Sequence, residues 1–280
     1  MKKEKGKEER SIVPPAVYTE DYYLTDNEGF REYEKGLDEN IHPKFKRALK
    51  YAGLRAGMQV LDLGCGRGEL SFYALKSGCK VTAVDYSEAA IRIAEKTMAS
   101  LSEDARSRLD LRLLDATGLN GLSKSGGPEA RFDVVFMVDI VEHVYPWQLQ
   151  EIVSQLRLLM KPDGMLFIST PNRLYIDYFY TFKHIVSLPF TMLKMFIRLL
   201  RGKIAAKEFW PHVLRFSIHR NDALDKMHVN VMSPREIKAC FPDWRVKTVC
   251  ENFENSKSLM NFLASRWFGP EIIVCARPPQ

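Results

Sequence analysis

The sequence predicts a large α/β domain built on an open, mostly parallel sheet with helices on both faces, and three observations carry that expectation. Apolar strand-like runs recur near 58–63, 80–84, 109–114, 132–138 and 164–169, separated by helical stretches near 68–77, 87–100 and 147–160. Such alternation marks a doubly wound sheet, because each parallel strand needs a crossover helix to bring the chain back. A glycine-rich turn joins the first run to its helix, at the strand end where such sheets bind ligands. After an interruption from 172 to about 230, the pattern resumes with a helix start at Ser233, a strand near 244–250 and the apolar run Ile272-Ile273-Val274-Cys275. With 280 residues, 46% of them hydrophobic, the chain can bury one large domain, or a domain plus an insertion.

The elements follow in order. Residues 1–17 read as a disordered charged tail: Met1 to Arg10 mixes acidic and basic residues and has no apolar segment of the kind a signal peptide needs. Residues 18–57 form an N-terminal helical cap. It carries Tyr18, Tyr22, Tyr23 and Tyr33, then a helix with Pro43 in its first turn, and it is placed to cover a ligand. Residues 58–171 are the core, with a Gly/Ser-rich loop at 118–128 and a turn at Lys161-Pro162-Asp163-Gly164. Residues 172–232 are a helical insertion. Residues 233–280 return to the core, starting at the helix-initiating Ser233-Pro234-Arg235-Glu236.

The balance of 41 basic against 35 acidic residues, +6, favours anionic surfaces only mildly and makes nucleic acid an unlikely partner. The five cysteines, Cys65, Cys79, Cys240, Cys250 and Cys275, form no C-x-x-C pair and no metal-ligand spacing. That usage fits a reducing, cytoplasmic compartment.

The segment Asp62-Leu63-Gly64-Cys65-Gly66-Arg67-Gly68 ends the first strand. Its glycines let backbone N–H groups approach a ligand, and the helix that follows offers its positive end. Counting the dinucleotide pattern G-x-G-x-x-G from Gly64 puts Glu69 at the third glycine, where its bulk and charge oppose a pyrophosphate, so NAD is disfavoured. Asp85 ends the second strand 23 residues after Asp62, about where a βαβ unit presents an acid to a ribose diol. The expected ligand is a nucleoside.

With Asp62, Gly64, Gly66 and Gly68 matching acidic-x-Gly-x-Gly-x-Gly, the chain resembles the class I S-adenosylmethionine-dependent methyltransferases, well over 43–171 and loosely over 233–276. The resemblance implies a Rossmann-like, mostly parallel seven-stranded sheet with an antiparallel last strand. It also implies S-adenosylmethionine as cofactor, with the loop at 62–68, Cys65 included, against the methionine part. Asp85 would hold the ribose hydroxyls, Tyr86 would border adenine, and Asp115 with Ala116 would meet the adenine amine. A loop acid is the plainer alternative for Asp115, and a strand-end turn former for Asp85.

Asp139-Ile140-Val141-Glu142-His143 follows the fourth strand at the expected acceptor mouth, with Asp139 close enough to serve the cofactor as well. The Asp-x-x-Glu-His pattern resembles the ubiquinone-biosynthesis O-methyltransferase branch, in which the matching residues are implicated in metal binding. Asp139, Glu142 and His143 are therefore candidate ligands for Mg2+ or Zn2+. Without metal, Glu142 and His143 are candidate catalytic residues, His143 as general base, or else a structural pair bracing the loop. His228 is a further candidate near the acceptor. The chain has no Asn/Asp-Pro-Pro-aromatic motif after the fourth strand and no Pro-Cys dipeptide, which moves the acceptor away from nucleic acid and toward a small molecule or lipid.

In the insertion, 174–200 is strongly apolar but interrupted by Asp177, Lys183, His184, Lys194 and Arg198 and broken by Pro189, so it should not span a bilayer. From Phe190 onward, Thr191, Lys194, Arg198 and Arg201 share one stripe at about 100° per residue, leaving a wide apolar face. Residues 174–201 are thus expected either to contact an anionic membrane surface or lipid acceptor, peripheral to the inner face of a membrane, or to pack as a lid. Aromatic and histidine residues continue at Phe209-Trp210-Pro211-His212 and Lys226-Met227-His228. The chain reads as an O-methyltransferase of a small hydrophobic or lipid-linked acceptor such as a quinone precursor. An N- or C-methyltransferase of another metabolite, and a non-catalytic cofactor-binding protein, are the alternatives.

Overall fold

The computed structural model describes residues 11–26, 28–122, 131–205, 207–208, 210, 227–251 and 269–279, with backbone only at 26 and 179–187. Helices α1 (Phe30–Glu34) and α2 (Pro43–Ala52) precede β1 (Gln59–Leu63), α3 (Glu69–Lys76), β2 (Lys80–Asp85), α4 (Glu88–Met98), α5 (Glu103–Arg106) and β3 (Leu109–Leu113). A 3-10 turn at Ala116–Gly121 leads toward β4 (Phe132–Val138), α6 (Pro146–Leu159), β5 (Met160–Pro171) and α7 (Tyr180–Leu200). The chain closes with α8 (Pro234–Ala239), β6 (Arg245–Glu251) and β7 (Glu271–Arg277).

The seven strands lie in the order β3-β2-β1-β4-β5-β7-β6. β1 to β5 pair in parallel, and β7 runs antiparallel between β5 and β6, as expected of the last strand. Alternate residues of the central strands feed opposite cores, since side chains point to opposite faces with period two. Leu61, Leu63, Val135 and Met137 pack with Leu149, Ile152 and Leu156 of α6, while Val60, Val134 and Phe136 pack with Leu75 of α3 and Ala48 of α2. The strand order reverses between β1 and β4, which opens a crevice at their carboxyl ends. Local signals fix the flanking helices: Ser87 Oγ accepts from Ala90 N at 3.3 Å to cap α4, and Ser233 forms a reciprocal box with Glu236 at α8.

Four expectations are corrected. The tail is not unstructured as far as 17: Val13 is buried, Tyr86 Oη donates to Val13 O at 3.4 Å, and Trp147 Nε1 donates to Ser11 O at 3.2 Å. Residues 1–10 of that tail, and most of the loop at 118–128, lie outside the described residues. The turn at 161–164 is absorbed into β5 as a bulge: between the pairs Phe132↔Met160 and Val134↔Met165, β4 advances two residues and β5 five. Gly164 is required there, since a Cβ would meet Phe132 O at 2.9 Å. Pro189 does not break α7, which continues through it. A proline removes one backbone hydrogen bond, and the other bonds of a 21-residue helix remain. Finally, α5 was not anticipated, being a single turn capped by Ser102.

Gly68 also departs from expectation. It stands at the N-cap of α3 with φ 83°, and a Cβ there would lie 2.8 Å from Met98 Cε and 3.3 Å from Ala94 Cβ. Its requirement is the close approach of α3 to α4 and not ligand contact, and it is the one sequence-predicted site residue that does not line the cavity described below. Gly68→Ala should lower stability by at least about 1–2 kcal/mol, the cost of forcing a Cβ into left-handed backbone. Chemical denaturation would measure this loss, with S-adenosylhomocysteine affinity of the folded variant unchanged.

Candidate active site

The cavity at the switch point is lined by Asp62, Gly64, Cys65, Gly66, Asp85, Tyr86, Asp115, Ala116, Asp139, Glu142, His143 and His228. One carboxylate organises its floor. Asp85 Oδ2 accepts from Gly66 N and Oδ1 from Ser87 N, both at 2.9 Å, while Gly64 N and Cys65 N donate to Val84 O at 2.8 and 3.0 Å. Gly64 takes φ 73°, and a Cβ would fall 2.0 Å from Ile140 Cδ1, so this turn admits only glycine beside the β4 loop. Asp62 Oδ2 accepts from Ser71 Oγ at 2.6 Å and Ser71 N at 3.1 Å, which ties α3 to β1. Burial pushes the Asp62 carboxyl up to about 6 against those hydrogen bonds. Cys65 is buried, and burial beside Asp85 and Asp62 holds its thiol well above the usual range. Asp115 caps the 3-10 turn through Oδ1, which accepts from Thr117 N and Oγ1 at 2.7 Å each.

The far wall follows β4. Glu142 is buried and its Oε2 accepts from Thr170 Oγ1 at 2.9 Å. Burial, then the Asp139 carboxylate, raises its pKa well above the ordinary carboxyl value. Residues 227–230 fold over this loop: Asn230 N donates to Glu142 O at 3.1 Å, and His143 Nδ1 lies 3.3 Å from Met227 O. The His143 and His228 rings are 4.9 Å apart, and burial, then His228, pushes His143 down to about 4. Glu142, His143 and His228 can each present a ligand atom within 4.8 Å of the others. This group exchanges Asp139 of the expected metal set for His228. Both Asp139 oxygens lie 2.9 Å from Lys44 Nζ, and that ammonium occupies the side of the carboxylate a cation would need.

Lys44 was not anticipated. It is buried on α2 among three carboxylates, with Glu28 Oε2 at 2.6 Å, Asp139 at 2.9 Å and Glu271 Oε1 at 3.7 Å. Burial pushes the Glu271 carboxyl up to about 7, the Lys44 ammonium opposing the rise and Asp139 and Glu28 adding to it. Asp139, with φ 56°, is the one non-glycine residue of positive φ among the described residues. The Lys44 pairing holds it there. The available signal was weak: Lys44 shares a helix face with Ala48 four residues on, and Glu271 opens an apolar strand.

A family model described as a methyltransferase domain matches residues 33–243. The chain belongs to that methyltransferase family. Its methyl donor is S-adenosylmethionine. Over 117 residues it is 36% identical to a ubiquinone biosynthesis O-methyltransferase of Caulobacter vibrioides, covering 42% of each chain. Over 125 residues it is 35% identical to the protein of the same name from Coxiella burnetii, covering 45% of this chain and 48% of that one. The match thus spans less than half the length of these relatives. A solved S-adenosylmethionine-dependent methyltransferase from Archaeoglobus fulgidus shares the fold, with 22% identity, a TM-score of 0.53, and coverage of 92% of this chain and all of that one.

The cavity of this methyltransferase fits the donor. Asp62, Glu69, Asp85, Asp115 and Asp139 line it, an acidic wall that suits a sulfonium and an amino-acid ammonium and opposes a pyrophosphate. The bound donor supplies an electrophilic methyl; the chain supplies position and exclusion of water. Exclusion comes from the N-terminal cap. Arg67, buried within the glycine loop, donates Nη1 to Tyr23 O and Nη2 to Glu28 O, both at 2.7 Å, and Nε to Glu69 Oε1 at 2.8 Å. Glu69, the residue that argued against a dinucleotide, thus orients the arginine that fastens the cap.

Asp85→Ala should weaken S-adenosylhomocysteine binding by about 1–3 kcal/mol, since it removes the carboxylate that braces Gly66 N in the cavity floor. Calorimetric titration of the folded variant would read the loss directly.

Proposed function

We propose that this methyltransferase acts on oxygen, and that its acceptor is a small hydrophobic molecule such as a phenolic quinone precursor on a lipid tail. The observation that carries the reading is the His143 imidazole in the cavity wall, its Nδ1 held 3.3 Å from Met227 O. With Nδ1–H donating to Met227 O, Nε2 keeps its lone pair and can take the proton that a hydroxyl loses as its oxygen attacks the methyl. An O-methyl product requires such a sink, because a phenol stays protonated at neutral pH. The ubiquinone-pathway names of the two relatives support the same acceptor class.

Glu142, His143 and His228 would hold a divalent ion if one is used, and one carboxylate with two imidazoles suits Zn2+ better than Mg2+. Such an ion would supply Lewis acidity that lowers the hydroxyl pKa. Radiolabelled S-adenosylmethionine offered with a lipid extract and, separately, a polar metabolite extract should label the lipid fraction as an ether. His143→Ala should lower turnover at least about 100-fold. Loss of activity on chelation assigns the three residues to metal; activity that survives chelation assigns His143 as base. Label confined to polar amines would end the oxygen reading.

A second part of the reading concerns α7. Met195 is buried, and Met192 and Leu199 on either side of it are half-buried, whereas Phe190 and Leu200 are 74% and 72% exposed and Leu193, Phe196 and Ile197 are exposed with them. Lys194, Arg198 and Arg201 flank that outer face. We infer that it rests on an anionic membrane surface at the cytoplasmic side, each cation adding roughly 1 kcal/mol, and that this delivers a lipid acceptor to the cavity. No helix among the described residues is long and apolar enough to cross a membrane. Phe209, Pro211, His212 and Lys226 lie outside the described residues. Sedimentation with anionic liposomes should show salt-sensitive binding that Lys194→Glu with Arg198→Glu abolishes while cofactor binding survives. Indifference of the wild type to both anionic and neutral liposomes would reduce α7 to a lid.

A further inference from the structure

β3 is the outermost strand of the sheet, and no described strand pairs with its outer side. Val81 N donates to Arg108 O at 2.9 Å and Leu114 N to Asp85 O at 2.8 Å, so the even-numbered residues of this segment turn their backbone groups toward β2. The alternation of a strand then turns the N–H and C=O of Leu109, Leu111 and Leu113 outward. Edge groups of this kind are a template for another strand. The side chains alternate as well. Leu109 and Leu111 pack on the core beside α4, and Leu113, on the same face, is 53% exposed. Asp110 and Arg112 share the other face, with Arg112 Nη2 2.7 Å from Asp110 Oδ2.

We propose that a second copy of this chain docks on this edge, its β3 antiparallel to the first about a two-fold axis through Leu111. The sequence Leu109-Asp110-Leu111-Arg112-Leu113 is self-complementary in that register. Leu111 faces Leu111 of the second copy and Leu109 faces Leu113, and each of these pairs exchanges its outward N–H and C=O groups. Asp110 faces Arg112 on both sides of the axis, at the positions without backbone bonds, where opposed side chains come closest. An axis through Asp110 or through Arg112 would set like charges face to face, so charge selects the register. The apolar face agrees with that choice. Leu113 comes over Leu109 of the second copy, at a groove lined by Glu95, Met98, Ala99, Arg106, Leu109 and Leu111. A two-fold contact makes every interaction twice and closes the assembly at two copies, which suits a pattern that complements itself and no other sequence in particular.

The test is sedimentation equilibrium of the full chain at concentrations up to about 200 µM, since an edge contact is smaller than a standard interface and associates more weakly. The wild type should be dimeric. Arg112→Asp and Asp110→Arg each set like charges across the axis twice, and each should weaken self-association at least about tenfold. Mixed in equal amounts, the two variants should regain the dimer, because every acidic residue of one then faces a basic residue of the other. S-adenosylhomocysteine should bind both variants as it binds the wild type, which reports that they fold, since neither residue lines the cavity. Leu113→Lys, at an exposed position, should weaken the dimer by a separate route. A wild type that stays monomeric throughout overturns the proposal. Variants that dimerise as the wild type does place the contact elsewhere and overturn it too, and a mixture that stays monomeric overturns the antiparallel register on which it stands.

Discussion

Asp85 accepts from Gly66 N and Ser87 N at 2.9 Å each, so one buried carboxylate fixes both the glycine loop after β1 and the entry to α4. Hydrogen bonds to a charged group contribute about 1.5–3 kcal/mol each, roughly twice a neutral one. The consequences spread outward. With Gly66 pinned, the loop turns tightly enough for Gly64 to meet Ile140 of the β4 loop, and the two strand ends that flank the switch point enclose one cavity. Ser87, held by the same carboxylate, fastens Tyr18 of the cap.

The cap is attached to the loop that it covers. Arg67 donates to two backbone carbonyls of the cap, Tyr23 O and Glu28 O, while Glu69 neutralises it in the interior. A buried arginine without such partners would be strongly destabilising; with them, its charge is satisfied and its fork fixes the geometry of the chain above. The fastening of the cap is therefore built from the glycine loop itself.

The opposite wall concentrates charge differently. Lys44 stands among Glu28, Asp139 and Glu271, so helix α2, the cap, the β4 loop and the first residue of β7 meet at one ammonium. Lys44 pairs with both oxygens of Asp139, the residue that takes left-handed backbone at φ 56°. Replacing Lys44 would remove the buried ammonium that Glu28, Asp139 and Glu271 share.

Much of this was legible in the sequence because it rests on local rules. The alternation of apolar strands and helices determined the sheet, and the glycine loop with Asp85 pointed to the cavity at its switch point, since strand period, turn chemistry and the spacing of one βαβ unit are all encoded within short segments. The site residues taken from those segments meet in one cavity, apart from Gly68, whose need for glycine comes from Met98 and Ala94 on a neighbouring helix. Contacts of long sequence separation were not legible. That Lys44 claims Asp139 and that His228 joins Glu142 and His143 became visible only once residues far apart in the chain were folded against each other. Side-chain charge and burial at such points depend on which elements pack together, and no periodicity within one segment carries that information.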